Sequence, residues 1–209
     1  MDDPKEAPAP TDLIRLGDTL RALPPSCGPV RLVAVDGHAG SGKSTFADRL
    51  SAALGDAPVL RLDDLASHEQ LFDWTDRFAE QVTGPLSRGA SARYAPYDWT
   101  ARRFLPPRTL APAPVVLVEG VGAGRRALRP LLARLFWMDR DAEASWQRGR
   151  RRDGPEQSAF WDDWIRAETS HFAADPSVSF ADALVRETPE GYVVSSGTDV
   201  TPGEHSGIT

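Results

Sequence analysis

A glycine-rich segment constrains the fold of this chain more than any other feature. Residues 37–44 read GHAGSGKS and match the pattern G-x-x-x-x-G-K-S/T. In folded proteins this pattern lies between a strand and a helix, where backbone N–H groups and the start of the helix surround phosphate oxygens. An apolar run at residues 30–35 precedes the segment, and apolar positions at helical spacing follow over residues 43–54. We therefore predict a strand, a phosphate-binding loop and a helix in succession.

The side chains of this loop have expected roles that follow from their reach. Lys43 would contact the β- and γ-phosphates of a nucleotide, the Ser44 hydroxyl would ligate Mg²⁺, and Thr45 would bond the α-phosphate. A glycine-rich helix entry that binds nothing is the alternative. The predicted nucleotide-binding residues are Gly37, His38, Ala39, Gly40, Ser41, Gly42, Lys43, Ser44 and Thr45.

Length and composition fit one globular domain with short appendages. The chain has 209 residues, of which 41% are hydrophobic and 26% charged. We expect an N-terminal tail and helix over residues 1–28, the main domain over residues 29–197 and a flexible tail over residues 198–209.

The composition also excludes several classes of protein. No apolar run approaches the roughly 20 residues that span a bilayer, and residues 1–10 lack the pattern of a secretory signal. The single cysteine, Cys27, cannot form an internal disulfide, which fits a reducing compartment. A net charge of −6 argues against broad nucleic-acid binding. We expect a soluble cytoplasmic protein that binds neither membrane nor nucleic acid, with a homo-oligomer left open.

Three carboxylates follow two further predicted strands. Asp63 and Asp64 come after residues 59–62, and Glu119 comes after residues 115–118. Because parallel strands share one carboxyl edge, we expect all three beside the phosphate loop. There they could orient an attacking hydroxyl or hold Mg²⁺, and Asp63, Glu119 and Ser44 are the predicted metal ligands. The alternatives are a helix cap for the two aspartates and a plain strand end for Glu119.

The remaining pattern alternates strands and helices, which predicts an α/β fold with a parallel sheet covered by helices on both faces. Further strands are predicted at residues 135–138, 183–186 and 192–195, helices at about 67–88, 124–133, 141–153 and 158–173, and a long loop at 89–114.

Arginines cluster in the predicted helix at residues 141–153. Arg148 and Arg152 are four residues apart and share a helix face, where like charges repel. Such a pair is favourable if it closes over phosphates and stabilises a transferring phosphoryl group. We predict a short arginine-bearing lid at about residues 145–160, with a solvated basic face as the alternative.

These motifs resemble the uridine kinase family, which is close to phosphoribulokinases and P-loop pantothenate kinases. Residues 33–45 are similar to the first strand and loop of that family, and Leu62-Asp-Asp-Leu65 resembles its second-strand aspartate motif. The resemblance covers roughly residues 30–186, unevenly. It implies a nucleoside-kinase-like P-loop NTPase fold, ATP and Mg²⁺ as cofactors, Asp63 as catalytic base, and Lys43, Arg148 and Arg152 as its catalytic partners.

The resemblance also implies contacts to the acceptor. Residues 72–78 look like the family segment that touches the ribose, which gives that role to Asp73, with Asp76 as a fallback. Residues 96–99 resemble the motif beside the nucleobase and imply contacts from Tyr97 and Asp98. The predicted acceptor-binding residues are Asp64, Asp73, Tyr97, Asp98 and Arg102.

The chain departs from the family pattern at several points. Residues 101–103 read ARR where a histidine is expected, Gly149 replaces the second residue of an arginine pair, and residues 154–158 replace an arginine-glycine-arginine segment. An aromatic helix follows over residues 158–173, either as core or as a wall of the acceptor site.

Taken together, the sequence predicts a phosphotransferase that moves the γ-phosphate of ATP to a hydroxyl of a small molecule, first of all a nucleoside such as uridine or cytidine. The alternatives are a kinase of a sugar phosphate, vitamin or antibiotic alcohol, and an ATP-dependent switch that binds a partner protein through residues 89–114.

Overall fold

A computed structural model of the chain describes residues 9–197. Its strands are β1 Arg31–Asp36, β2 Val59–Arg61, β3 Ala92–Tyr94, β4 Tyr97–Asp98, β5 Arg103–Phe104, β6 Arg108–Leu110, β7 Val115–Glu119, β8 Leu132–Met138, β9 Ala183–Thr188 and β10 Gly191–Ser196. Its α-helices are α1 Leu13–Ala22, α2 Lys43–Ala53, α3 Thr75–Phe78, α4 Gly84–Ser87, α5 Ala142–Asp153 and α6 Ser158–Ala174.

One six-stranded sheet organises the molecule, with the strand order β10-β9-β8-β1-β7-β2. Neighbouring strands are parallel except for β10, which pairs antiparallel with β9 in a hairpin. In the register of the sheet, Glu119 of β7 lies opposite Val35 on one side and Arg61 on the other. The segments that follow β1, β2 and β7 therefore begin side by side at one edge of the sheet.

Apolar side chains cover both faces of the sheet, as expected for parallel strands buried on both sides. On one face Leu20 of α1 and Phe46 and Leu50 of α2 pack against the sheet. On the other face Phe78 of α3 and Leu86 of α4 do the same. The predicted fold class, a helix-covered α/β sheet, is confirmed.

The predicted N-terminal helix is present as α1 and is docked on the domain. Asp12 caps it, because the side chain accepts hydrogen bonds from the backbone N–H of Ile14 at 2.9 Å and of Arg15 at 3.3 Å. Just before the helix, the Thr11 backbone N–H donates to the carbonyl of Tyr192 in β10 at 2.6 Å. The predicted terminal tail at 198–209 lies outside the described residues.

The prediction of a helix at residues 124–133 is wrong. The described chain has a loop there, a single 3-10 turn at Arg129–Leu131, and then β8 from Leu132. The physical reason is the buried carboxylate of Asp36, which accepts hydrogen bonds from the backbone N–H of Gly122 at 2.9 Å and of Gly124 at 2.8 Å. These bonds hold the segment after β7 in a non-helical path.

Two other expectations are corrected in part. The helix expected at 67–88 begins only at Thr75 and continues through a π-helical turn, Ala79–Thr83, into α4. The segment expected as a long loop at 89–114 contains four short strands, paired as β3 with β6 and β4 with β5. None of the helices in the described part of the chain is long and apolar enough to cross a membrane.

Candidate active site

The loop between β1 and α2 is shaped to receive an anion. Lys43 is buried, and its Nζ donates to the carbonyl oxygens of Gly37 and His38, both at 2.9 Å. Gly42 precedes α2 with φ 102°, and no side chain caps this helix start. The first N–H groups of α2 therefore keep their capacity to bind phosphate oxygens, and the helix dipole favours negative charge at this point.

Close packing against α5 fixes one side of the loop. Gly40 has φ +84°, and a Cβ there would overlap the carbonyl oxygen of Ser145 in α5. Only glycine can combine this backbone conformation with this approach. The phosphate loop and the arginine-bearing helix α5 are therefore in direct contact.

Glu119 and Ser44 lie side by side at the ends of β7 and of the loop. The Ser44 hydroxyl donates to Glu119 Oε1 at 3.1 Å, and Arg61 Nη1 lies 2.8 Å from the same oxygen. Burial and the charge of Asp63 raise the pKa of Glu119, while Lys43 and Arg61 oppose that rise. The ion pair with Arg61 partly neutralises the negative charge of the Glu119 carboxylate.

Two cavities adjoin the sheet edge. The smaller, about 380 Å³, is lined by the phosphate loop with Glu119, Arg148 and Gly149, and the larger is about 620 Å³. Four residues line both cavities, namely Ala39, Asp63, Arg152 and Trp164. The structure thus brings Asp63 and Arg152 to the boundary between the cavity at the phosphate loop and a second cavity large enough for a small molecule.

Asp63 is the carboxylate at this boundary. Its residue is exposed where the two cavities meet. Desolvation raises the pKa of Asp63, the nearby cations Lys43, Arg152 and Arg61 lower it, and the Asp64 charge raises it, with a net rise. A carboxylate with a raised pKa in a cleft is a better proton acceptor than an ordinary surface aspartate.

Part of the wall of the larger cavity is aromatic. Trp99 lies 5.7 Å from Phe160 and 6.4 Å from Trp164 between ring centroids, and His68 lies 5.0 Å from Trp99. The aromatic helix α6 therefore supplies a wall of this cavity, one of the two roles considered from its sequence. Other lining residues are Thr100, Arg102, Asp153, Gln157 and Trp161.

The two arginines of α5 that were predicted to share a face both line the smaller cavity. Arg148 Nη1 pairs with Glu187 Oε2 of β9 at 2.8 Å, and Arg152 pairs with Asp153 at 2.6 Å. Between them, Gly149 packs beneath the indole of Trp161, where a Cβ would overlap the ring. The glycine that departs from the family pattern thus makes room for the aromatic wall.

The predicted acceptor residues are dispersed. Arg102 lines the larger cavity, whereas Asp73 lines a third cavity of about 430 Å³ beside Arg125 and His171. Tyr97 is buried, and its hydroxyl lies 2.9 Å from His68 Nδ1.

Asp98 and Asp64 have local partners. Asp98 Oδ1 accepts from the backbone N–H of Thr100 at 3.0 Å and of Ala101 at 2.8 Å, which stabilises the turn between β4 and β5. Asp64 accepts from the Tyr94 hydroxyl at 3.3 Å. Of the predicted acceptor set, Arg102 is thus the residue that the structure places on the larger cavity's wall.

The residues present fit a magnesium nucleotide. The hydroxyl of Ser44 and the carboxylate of Glu119 are hard oxygen ligands, and Mg²⁺ in phosphate-binding sites takes few protein ligands beside phosphates and water. Within residues 9–197, no group of three or more histidine, cysteine, aspartate or glutamate side chains is placed to hold a metal ion by itself. The donor set therefore suits a cation that arrives with phosphates.

Sequence reasoning missed several residues of the site. Asp36 Oδ1 also accepts from the Gly37 backbone N–H at 2.7 Å, so one buried carboxylate joins the phosphate loop to the segment after β7. Its position at the end of β1, directly before the glycine-rich loop, was an available signal. His68, Asp153 and Gln157 line the larger cavity, and nothing in their local sequence indicates that they do.

Comparisons with known proteins support the fold. No protein-family model matches the sequence, and no curated protein matches it either. Among solved structures, a possible uridine kinase from Bacillus stearothermophilus is 18% identical with a TM-score of 0.59, and the match covers 82% of this chain and 96% of that chain. A candidate fructose transport system kinase from Silicibacter sp. TM1040 is 20% identical with a TM-score of 0.56, covering 78% and 89% respectively. The chain has the α/β fold of P-loop kinases.

Proposed function

We propose that the protein is an ATP- and Mg²⁺-dependent phosphotransferase that adds the γ-phosphate to a hydroxyl group of a small molecule. The observation that carries this proposal is the shared boundary of the two cavities. Asp63 and Arg152 line both the cavity at the phosphate loop and the larger cavity beside it. Phosphoryl transfer needs a proton acceptor and a cation at the point where donor and acceptor meet.

Each residue of the site has a role in this proposal. The N–H groups of the loop and Lys43 bind the phosphates, while Ser44 and Glu119 hold the metal ion. Mg²⁺, when bound, neutralises charge on the phosphate oxygens. Asp63 orients the acceptor hydroxyl and accepts its proton, and the side chains of Arg148 and Arg152 stabilise charge on the transferring group.

A nucleoside such as uridine or cytidine is the first acceptor class that we propose. The larger cavity has the size of small-molecule sites, and its aromatic rings offer faces on which a planar base can stack. The structural likeness to a possible uridine kinase is consistent with this class.

A non-nucleoside alcohol, such as a sugar phosphate, a vitamin or an antibiotic, is the second class. It is favoured by the positions of Asp73 and Tyr97, since the first lines a separate cavity and the second is engaged with His68. Arg102, which lines the larger cavity, could bind an anionic group of such an acceptor. Either acceptor would be met in the cytoplasm, without a nucleic-acid or membrane partner.

The experiment is to incubate the purified protein with Mg·ATP and a panel of nucleosides, sugar phosphates and pantothenate, and to measure phosphorylated products by mass. One acceptor that gains a phosphoryl group well above background hydrolysis would support the proposal and identify the class. Slow ADP release that is equal with every compound, at saturating concentrations, would count against a small-molecule kinase and favour the partner-binding switch.

A further inference from the structure

A buried carboxylate on α6 bonds to residues that line both cavities. Glu168 is fully buried and accepts four hydrogen bonds. Its Oε1 lies 2.7 Å from His38 Nδ1 and 2.9 Å from Trp146 Nε1. Its Oε2 lies 3.1 Å from the backbone N of Ala39 and 2.8 Å from Trp164 Nε1. A buried carboxylate with this many donors is fully satisfied and geometrically fixed.

The four donors belong to three separate parts of the site. His38 and Ala39 are in the phosphate loop, Trp146 is on the arginine-bearing helix α5, and Trp164 is on α6. Trp164 lines both cavities. One side chain therefore ties the nucleotide-binding loop to the helix that carries Arg148 and Arg152 and to the wall of the larger cavity.

Packing around His38 strengthens this connection. The imidazole lies edge-on to three aromatic rings, at 5.4 Å from Trp137, 5.7 Å from Trp146 and 5.2 Å from Phe172 between centroids. Its Nδ1 faces Glu168, so the side chain is held by packing against these rings and by the hydrogen bond at Nδ1. These contacts join this segment of the loop to Glu168 and to the surrounding rings.

The charge of the carboxylate matches its donors. Burial raises the pKa of Glu168, but the hydrogen bond from His38, the charge of Lys43 and the two indole N–H groups outweigh it, and the pKa lies below its usual range. The carboxylate is therefore ionised near neutral pH and able to accept from all four donors.

We propose that Glu168 is a positioning residue that holds the His38–Ala39 part of the loop in its phosphate-binding conformation and couples it to α5 and Trp164. Because the loop is ordered in advance, phosphate binding does not have to order it. The inference rests on the proposed function in needing a nucleotide on the loop. It assigns no chemical step to Glu168, which acts through its neighbours.

The test is the dissociation constant of Mg·ADP, measured by calorimetry on folded protein well below its melting temperature. In the Glu168→Gln variant one acceptor oxygen and one amide group face four donors, so at least one buried donor loses its partner. We expect the dissociation constant to rise by about tenfold or more. Asp163→Asn makes the matched change on the exposed side of the same helix and should leave it unchanged.

A second variant separates positioning from a general loss of stability. Trp146→Phe keeps a ring but removes one donor to Glu168, and we expect a loss of affinity of about two- to fivefold. If both changes act through the same connection, adding Trp146→Phe to the Glu168→Gln variant has little further effect. If Glu168→Gln alone folds poorly, Trp146→Phe by itself still tests the inference, because it removes one donor and leaves the carboxylate in place. An unchanged affinity in that variant would then contradict the inference.

The possible results of these experiments separate a purely stabilising role of Glu168 from the proposed positioning role. A variant that melts earlier yet binds Mg·ADP with unchanged affinity would show that Glu168 only stabilises the fold, and additive losses in the cycle would contradict the coupling. If the unmodified protein does not bind Mg·ADP, the proposed function fails and this inference fails with it. If the unmodified protein binds and Glu168→Gln binds equally well, only this inference fails.

Discussion

Arg152 on α5 and Asp63 in the turn after β2 line the same two cavities, although they belong to separate elements of the fold. The guanidinium is close enough to lower the pKa of Asp63, against the desolvation that raises it. A carboxylate and a cation thus share the boundary between the two cavities.

Replacing Asp63 tests the proton acceptor. We predict that Asp63→Asn leaves the affinity for Mg·ATP nearly unchanged and lowers kcat by about 10² or more, because the amide cannot accept the proton. Asp18→Asn, an exposed aspartate on α1 that lines none of the three cavities, is the control and should behave as the unmodified protein. Steady-state kinetics with the identified acceptor measure both, and unchanged turnover in Asp63→Asn would remove it from the catalytic role.

The pH dependence tests the same group. The ionised carboxylate is the active form, so the rate falls as pH falls through the pKa of Asp63. Because desolvation within the cleft raises the pKa of Asp63, the fall should begin at a higher pH than for an ordinary aspartate. A pH profile of kcat/KM should show this acidic limb, and the limb should be absent from the residual activity of Asp63→Asn. An identical limb in both proteins would assign it to another group.

Replacing Arg152 tests whether its guanidinium stabilises charge on the transferring phosphoryl group. We predict that Arg152→Ala lowers kcat/KM by about 10² to 10³, since a cation at the transferring group is lost. Arg151→Ala is a matched control, because Arg151 is the adjacent arginine on α5 and lines neither of the two cavities. Equal effects from the two changes would point to the overall charge of the helix rather than to the position of Arg152.

Replacing Ser44 tests whether its hydroxyl helps to hold Mg²⁺. Ser44→Ala removes the hydroxyl that pairs with Glu119 and should raise the Mg²⁺ concentration needed for half-maximal rate by about tenfold. Activity of the unmodified protein should disappear on chelation with EDTA and return with added Mg²⁺. A Ser44→Ala variant with an unaltered Mg²⁺ dependence would place the ion elsewhere.

Replacing Gly149 tests how far the close contact between α5 and Trp161 contributes to stability. A methyl group at this position would overlap the Trp161 ring, so Gly149→Ala should lower the free energy of unfolding by about 1–3 kcal/mol, despite the higher helix propensity of alanine. Thermal or urea unfolding measures the change. The double variant Gly149→Ala with Trp161→Ala should lose less than the sum of the single changes, and strict additivity would contradict the proposed clash.

Local patterns were sufficient to predict the elements that carry the phosphate loop. The β1 strand, the loop and α2 are contiguous in sequence, and α5 and α6 have strong helical patterns, so these predictions are confirmed. The helix expected at 124–133 failed because Asp36, far away in sequence, bonds the backbone of Gly122 and Gly124. Hydrogen bonds of this range leave no local pattern.

The acceptor-binding residues could not be predicted from local sequence for the same reason. Asp73 and Tyr97 were chosen for their resemblance to family motifs, yet their surroundings depend on how residues 67–74 and the short strands β4 and β5 pack. The larger cavity forms where Trp99, α6 and the turn after β2 meet, which only the folded chain brings together. Glu168 was visible in the sequence, but its four partners were not.

The destination of the γ-phosphate is the measurement that tests the central claim most directly. The protein would be incubated with γ-labelled ATP, Mg²⁺ and the acceptor selected from the panel, and ADP, inorganic phosphate and labelled acceptor would be counted together. The account predicts one labelled acceptor for each ADP, with this transfer largely lost in Asp63→Asn. Release of the label as inorganic phosphate in equal amount to ADP, whatever compound is present, would contradict it.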